Sequence, residues 1–219
     1  MFRKKIIDFN PESDIIVMLR SPVDMLYSLH AQLWYNQNED IEDFSEALKA
    51  EKERKEGCRL PPGCLWPSKL FYREVARFSV QVERYFEVFG REKVLVLIFD
   101  DFVRDTAAAY AQVLRFLNVD DSFQPDFGVQ NPNTKPRSKR LMFLRHNYPK
   151  WVREVGRVFL PSQKIRNGIM GKLTELNTRV EKRPPMDPEL RSKLQEEFRP
   201  EVERLSELLG RDLMYWVED

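Results

Sequence analysis

The segment that decides the fold is "IIVMLRSPVDMLYSLHAQ", residues 15–32. Its first five residues are apolar and lead directly into Arg20, and the letters "SPVD" that follow are typical of a helix start. A short run of branched apolar residues predicts a strand buried on both faces of a parallel sheet. A strand end, a helix start and a cation therefore meet at one point, which predicts an anion site.

The start of the predicted helix explains how such a site would work. Residues 21–24 supply a favoured N-cap serine, a proline for the first helical position and an acid for the first turn. We expect a helix over residues 22–36, with its free amides at the sheet edge where open α/β folds bind ligands. Arg20 adds a planar two-donor fork that matches phosphate, and Ser28 adds a hydroxyl. Two alternatives stay open at this point: that Arg20 pairs with an acid, and that Ser28 only lets helices approach closely.

A second apolar run, "KVLVLIF" at residues 93–99, follows a stretch of helical pattern. Residues 42–55 predict a mostly solvated helix, and residues 68–90 predict one continuous amphipathic helix that ends at Gly90. The order strand, helices, strand over residues 15–99 is typical of a crossover between parallel strands.

The second half of the sequence is predicted to be rich in helix. An amphipathic helix is expected within residues 104–119, and another begins at Asp187 and Pro188, a good cap and first-turn pair. Between them, residues 120–140 form a long irregular stretch that ends in the basic segment "TKPRSKR". Loops of this length in compact domains are often functional.

Composition limits the classes of function. The chain has 219 residues, of which 42% are hydrophobic, and 36 basic residues balance 35 acidic ones to a net charge of +1. This balance gives no support to a nucleic-acid partner or a polybasic membrane binder, so any anion site must be local. No stretch has the length of a signal-peptide core or a membrane span. We therefore expect a cytoplasmic protein.

The two cysteines, Cys58 and Cys64, are spaced C-x5-C, which matches neither a redox pair nor a zinc site. We expect two free loop thiols, with a short-loop disulfide as the alternative.

The predicted sheet is small. Typical sheets have roughly 4–6 strands, and two apolar strands alone would leave hydrophobic edges and faces uncovered. Either further strands escape the pattern, or the chain lacks a front portion that carried them. The expected fold class is therefore α/β with a parallel sheet flanked by helices, truncated at its N-terminal side, with a helix-rich C-terminal half. Residues 1–219 are expected to form one single, partial domain.

Residues 15–32 resemble the 3′-phosphate-binding segment of sulfotransferases that use 3′-phosphoadenosine 5′-phosphosulfate (PAPS). In that family a strand ends in Arg, and a Ser follows eight positions later, as Arg20 and Ser28 do. Residues 72–120 are similar to the helix, strand and acidic turn of the family. The ending "LSELLGRDLMYW" resembles the tail of bacterial members.

The resemblance implies a P-loop-NTPase-like sulfotransferase fold and transfer of a sulfuryl group from PAPS to a hydroxyl or amine. The acceptor would be a small molecule or a carbohydrate, and no metal would be needed. Arg20 and Ser28 would hold the 3′-phosphate, and Arg137 of "TKPRSKR" would be a further cofactor contact, unless that segment is only a solvated basic loop.

The chain also departs from the family pattern. Members carry a P-K-x-G-T-like loop and usually a general base before the Arg/Ser segment, and here no match is found in the 19 residues before Arg20. The catalytic residue is therefore unknown, and the activity of the chain alone stays open. His30 is not expected to replace the base, because it lies about 200° around the helix from Ser28. Phe99 stands where many cytosolic relatives have Tyr.

Two other functions stay open: a non-catalytic nucleotide-binding or interaction protein derived from such an enzyme, and a P-loop kinase relative. A strand that ends in Asp100 and Asp101 resembles the magnesium-holding strand of nucleotide kinases, but we expect capping or salt-bridging roles for both. Four aromatic residues are either part of the core or line an acceptor cleft; they are Trp34, Tyr35, Trp66 and Tyr72.

Overall fold

The computed structural model describes residues 2–62, 64–123, 125–128, 134–136, 168, 172, 178–180 and 184–218. The strands are β1 (Ile15–Leu19), β2 (Val94–Ile98), β3 (Thr134–Pro136) and β4 (Thr178–Val180). The helices are α1 (Phe2–Phe9), α2 (Pro22–Tyr35), α3 (Phe44–Lys55), α4 (Tyr72–Val75), α5 (Phe78–Phe89), α6 (Phe99–Arg104), α7 (Thr106–Phe116) and α8 (Pro188–Leu209). Short 3-10 segments cover Pro67–Leu70, Arg91–Lys93 and Met214–Trp216.

The two apolar runs pair as parallel strands. In β1 and β2, Ile15 lies opposite Val94 and Leu19 lies opposite Ile98. Helices α2 to α5 connect the two strands, so the predicted crossover is confirmed. β3 and β4 form a separate antiparallel pair. The prediction of an α/β fold, with a parallel sheet flanked by helices, is confirmed.

The two faces of β1 differ in exposure. Val17 and Leu19 pack into the core, whereas Ile16 and Met18 are 43% and 45% exposed. Side chains alternate between the faces of a strand, and α5 and α8 pack on the face that carries Val17 and Leu19. The prediction that β1 is buried on both faces is therefore wrong for Ile16 and Met18.

Helix α8 connects two apolar clusters. Leu194 and Phe198, in its first half, pack with α2, α3 and α4. Val202 and Leu205, in its second half, pack with α5 and the sheet. The helix has 22 residues and is therefore roughly 33 Å long. Helix α8 thus fixes the position of α2 relative to the sheet.

The helix predicted over residues 68–90 is interrupted. The structure has a 3-10 segment, then α4, then α5 after a break at residues 76–77. The amide of Ser79 in the first turn of α5 donates to Oε1 of Glu201 at 2.6 Å. This bond to another helix replaces one that a continuous helix would have made internally. Gly90, with φ of 84°, ends α5 as predicted.

Helix α3 is less solvated than predicted. The Asp43 side chain caps its start by accepting a hydrogen bond from the amide of Glu46 at 2.9 Å. The helix then buries one side, which includes two charged residues, Glu51 and Arg54. Both lie in ion pairs, which is why charged side chains are tolerated there.

Other local predictions hold. Helix α2 covers Pro22–Tyr35, and Asp187 caps α8 by accepting from the amide of Leu190 at 2.9 Å. Cys58 and Cys64 are free thiols. Across the described ranges, no helix combines the length and the apolar character needed to cross a membrane.

Candidate functional site

The candidate site lies where the parallel strands end. Arg20 follows β1 and Phe99 follows β2, one residue after the paired Leu19 and Ile98. The Arg20 guanidinium carbon lies 5.1 Å from the centre of the Phe99 ring. Because the carboxyl ends of parallel strands meet at one sheet edge, both side chains are brought together by the strand register. The aromatic face holds the cation in place.

Arg20 presents its guanidinium at this edge. Among the described residues, no hydrogen bond or ion pair engages its guanidinium, whose contact is the Phe99 ring. The side chain is half-buried. Within the described part of the chain, no acidic side chain pairs with Arg20, so the alternative of an ion pair has no support there. A guanidinium with free donors in a partly desolvated position suits a bound anion.

The first turn of α2 supplies further donors. Ser21 occupies the N-cap position as predicted, but its side chain makes no capping hydrogen bond. Its Oγ is buried and has no hydrogen-bond partner among the residues that the structure describes. The amides of residues 23 and 24 also lack helical partners, as at every helix start. A buried hydroxyl without a partner and free amides form a donor set that fits phosphate oxygens.

Helix α2 also carries Ser28 and Asp24. Ser28 is half-buried two turns into the helix. Asp24, one turn earlier, accepts a hydrogen bond at Oδ1 from Nη2 of Arg191 at 2.6 Å. No local pattern predicts this contact, because 167 positions separate the two residues. The sequence pattern correctly predicts Asp24 in the first turn of α2, but it does not predict Arg191 as its partner.

His30 belongs to the core and not to the anion site. It is 4% exposed, and its Nε2 donates to the carbonyl of Ile41 at 2.9 Å. Its ring lies against Phe44 and Tyr72. This agrees with the prediction that it faces away from Ser28.

A buried ionic cluster lies beside His30. Glu39 and Arg54 form a bidentate pair at 2.7 and 2.6 Å, and both side chains are fully buried. The Tyr72 hydroxyl donates to Glu39 Oε2 at 2.7 Å, and the Ile41 amide donates to Oε1 at 2.9 Å. Burial alone would raise the pKa of Glu39, but these donors, led by Arg54, hold it below its usual value. Burial and the Glu39 carboxylate raise the pKa of Tyr72.

The contacts of Tyr72 in this cluster show which of its two predicted roles is correct. Tyr72 is fully buried and bonded to Glu39, so it is a core residue and lines no acceptor cleft. Trp66 is 60% exposed, with the Lys69 ammonium 5.9 Å from its ring. Trp34 and Tyr35 are half-buried at the end of α2.

Asp100 and Asp101 are engaged with the C-terminal segment. Asp101 pairs with Arg211, and also with Arg104 at 2.7 Å. The Arg211 guanidinium holds the pKa of Asp101 below its usual value. Asp100 accepts a hydrogen bond from Trp216 Nε1 at 2.6 Å. The predicted salt-bridging role is confirmed for Asp101, and Asp100 is a hydrogen-bond acceptor.

Arg137, the third predicted cofactor contact, lies outside the described residues. Within the ranges that the structure describes, no three His, Cys, Asp or Glu side chains are grouped as a metal site requires.

The fold and the site together define an α/β protein with a cation and a helix start at the carboxyl edge of its parallel sheet. Carbohydrate sulfotransferase 15 of Mus musculus is 29% identical over 119 residues, which are 51% of this chain and 21% of that protein. The protein of the same name from Rattus norvegicus is 28% identical over the same shares. The chain thus spans about a fifth of the length of the curated relatives it matches. No family model matches the chain.

A solved structure, that of a sulfotransferase from Alicyclobacillus acidocaldarius, has a similar fold. The TM-score is 0.64 with 27% sequence identity, and the match covers 99% of this chain and 62% of that one. The chain is therefore related to the sulfotransferases, by sequence over half of its length and by fold over nearly all of it. The family prediction is confirmed.

Proposed function

We propose that this chain is a sulfotransferase that binds PAPS and transfers its sulfuryl group to an acceptor hydroxyl or amine. The observation that carries the proposal is Arg20, which has no acidic partner among the described residues and lies over Phe99 at the carboxyl edge of the sheet. The relation to sulfotransferases in sequence and fold supports the reaction class.

The 3′-phosphate would lie between Arg20, the first turn of α2 and Ser28. Arg20 would supply charge-assisted hydrogen bonds, and the free amides of α2 would add the positive end of the helix dipole. The Ser21 hydroxyl is buried and has no partner in the described part of the chain, and a phosphate oxygen would provide one. We place Arg137 of the basic segment as a further contact to the nucleotide.

The reaction itself needs little from the protein beyond positioning and charge. The sulfur–oxygen bond to the phosphate of PAPS breaks, a new bond forms from sulfur to the acceptor oxygen or nitrogen, and adenosine 3′,5′-bisphosphate leaves. The acceptor proton passes to a base, which stays unassigned in this chain. Arg20 and α2 would bind PAPS through its 3′-phosphate, which is not transferred. The binding energy of this phosphate would thus orient the sulfuryl group for the reaction.

The donor site is tested by calorimetric titration with adenosine 3′,5′-bisphosphate and with 5′-AMP, which lacks the 3′-phosphate. The wild type should bind the bisphosphate more tightly. Arg20→Ala should lower that affinity about tenfold to a hundredfold, because a hydrogen-bonded charge is lost, and Ser28→Ala should lower it less. Affinity for 5′-AMP should change little in either variant.

Arg91→Ala is a matched control. Arg91 lies over Phe86, with its guanidinium carbon 4.5 Å from the ring centre, in the segment that leads into the amino end of β2. It makes the same kind of contact as Arg20 at the opposite end of the sheet, and its loss should leave the affinity unchanged. Equal binding by Arg20→Ala and the wild type would show that the site is wrong. A preference for ATP with magnesium would favour the kinase alternative.

We further propose a carbohydrate as the acceptor, because the curated relatives are named carbohydrate sulfotransferases. Transfer of labelled sulfur from PAPS should be measured with oligosaccharides and with phenols and amines of similar concentration. Labelling of the oligosaccharides alone is the expected result, and labelling of the phenols or amines alone would contradict this choice.

A further inference from the structure

In the sequence, a carboxylate lies between the two named ligands of the proposed phosphate site. Asp24 lies four residues after Arg20 and four residues before Ser28. Positions 24 and 28 of α2 differ by about 40° around the helix axis, so they share one face of the helix. An acid in the first turn stabilises a helix, but it repels any anion that binds the same amides.

Arg191 neutralises this carboxylate. Its Nη2 donates to Asp24 Oδ1 at 2.6 Å, and the two side chains are 38% and 32% exposed. The same connection is reinforced nearby, where the Tyr27 hydroxyl donates to the carbonyl of Pro184 at 3.1 Å. Because Asp187 caps the start of α8, the backbone that carries Arg191 is held in position.

We infer that Arg191 is a positioning residue for the 3′-phosphate site: it holds and neutralises Asp24, so that the charge of Arg20 remains available to the phosphate. This inference rests on the proposed function. Without Arg191, the Asp24 carboxylate would repel the phosphate and compete with it for Arg20. The anion site would thus require a residue that lies 167 positions away from Asp24 and belongs to another helix.

The test is a double-variant cycle, measured as the affinity for adenosine 3′,5′-bisphosphate at low and high salt. Arg191→Ala should lower the affinity on the order of tenfold at low salt and by less at high salt, where the charge is screened. Asp24→Asn alone should bind at least as tightly as the wild type. The double variant Asp24→Asn/Arg191→Ala should bind about as tightly as Asp24→Asn.

Arg204→Ala is the matched control from the same helix. Arg204 pairs with Glu83 at 2.6 Å, and this pair lies on α5 and α8, away from α2. Its loss should leave the affinity unchanged at both salt concentrations. Where Arg191→Ala does not fold, as judged by thermal melting, Arg191→Gln removes the charge with a smaller change in shape and serves the same test.

Two results would overturn the inference. The first is an Arg191→Ala affinity equal to that of the wild type. The second is a double variant as weak as Arg191→Ala, which would show a direct or purely structural role of Arg191. Failure of the proposed function gives a different result, in which Arg20→Ala binds the bisphosphate as well as the wild type does. In that case the inference about Arg191 fails together with the proposed function.

Discussion

Arg20 and Phe99 lie next to each other at the carboxyl edge of the parallel sheet, with the guanidinium carbon 5.1 Å from the ring centre. The two residues are 79 positions apart in the sequence, and the register of β1 and β2 brings them together. An aromatic ring beneath a cation restricts its motion without using its hydrogen-bond donors. Phe99 therefore orders Arg20 at the place where the proposed anion would bind.

This relationship predicts how substitutions of Phe99 act on nucleotide affinity. Phe99→Leu keeps an apolar side chain but removes the ring face, and it should lower the affinity for adenosine 3′,5′-bisphosphate about two- to tenfold. Phe99→Tyr keeps the ring and should bind at least as well as the wild type. Calorimetry measures both, and a Leu variant with unchanged affinity would show that the ring does not order Arg20.

A second prediction concerns the buried pair of Glu39 and Arg54. Removing one partner leaves the other charge buried, so Arg54→Ala should lower the free energy of unfolding by about 3–5 kcal/mol. The pair of Arg204 and Glu83 has side chains that are 53% and 42% exposed. Arg204→Ala should therefore cost only about 0–1 kcal/mol. Urea denaturation of the three proteins gives the comparison, and equal costs for both variants would contradict it.

The pH dependence of stability provides a third prediction, because the pKa of Glu39 lies below its ordinary value of 4.5 in the folded protein. The folded state therefore favours the charged carboxylate more than the unfolded chain does. This stabilisation is present above about pH 4.5 and is lost as the pH falls through the lower folded-state pKa.

The measurement is the free energy of unfolding of the wild type and of Glu39→Gln from neutral to acidic pH. The variant should be less stable at pH 7, and the difference between the two proteins should shrink on acidification below pH 4.5. A difference that stays constant across this range would show that ionised Glu39 contributes no net stability.

The features that could be predicted from the sequence are those encoded by neighbouring residues. The apolar run before Arg20 and the pattern "SPVD" are local, and they sufficed to place the strand end, the helix start and the cation at one point. The parallel pairing of β1 and β2 follows from two such runs with helices between them. The position of Ser28 follows from the helix that begins at Pro22.

The features that could not be predicted depend on contacts between distant residues. The break between α4 and α5 relies on Glu201, which accepts from the Ser79 amide. The pair of Asp24 and Arg191 likewise forms only in the folded chain. The burial of Arg54, in a helix predicted to be mostly solvated, depends on Glu39. Periodicity describes one segment at a time and carries no signal for any of these pairs.

The last prediction separates the sulfotransferase proposal from the kinase alternative through Asp100. Asp100 accepts hydrogen bonds from Trp216 Nε1 at 2.6 Å and from the Tyr215 hydroxyl at 3.3 Å. Asp100→Asn keeps an acceptor for Trp216, whereas Asp100→Ala leaves the indole N–H without this partner. We therefore expect Asp100→Ala to lower the free energy of unfolding by about 1–3 kcal/mol and Asp100→Asn to lower it less.

The fluorescence of Trp216, obtained by comparison with Trp216→Phe, should report the change of environment in Asp100→Ala. Both Asp100→Asn and the wild type should bind adenosine 3′,5′-bisphosphate with the same affinity, with or without magnesium. If Asp100 served instead as a magnesium ligand, Asp100→Asn would lose nucleotide affinity only when magnesium is present. That result would favour the kinase alternative, because the hydrogen bond to Trp216 does not depend on the metal.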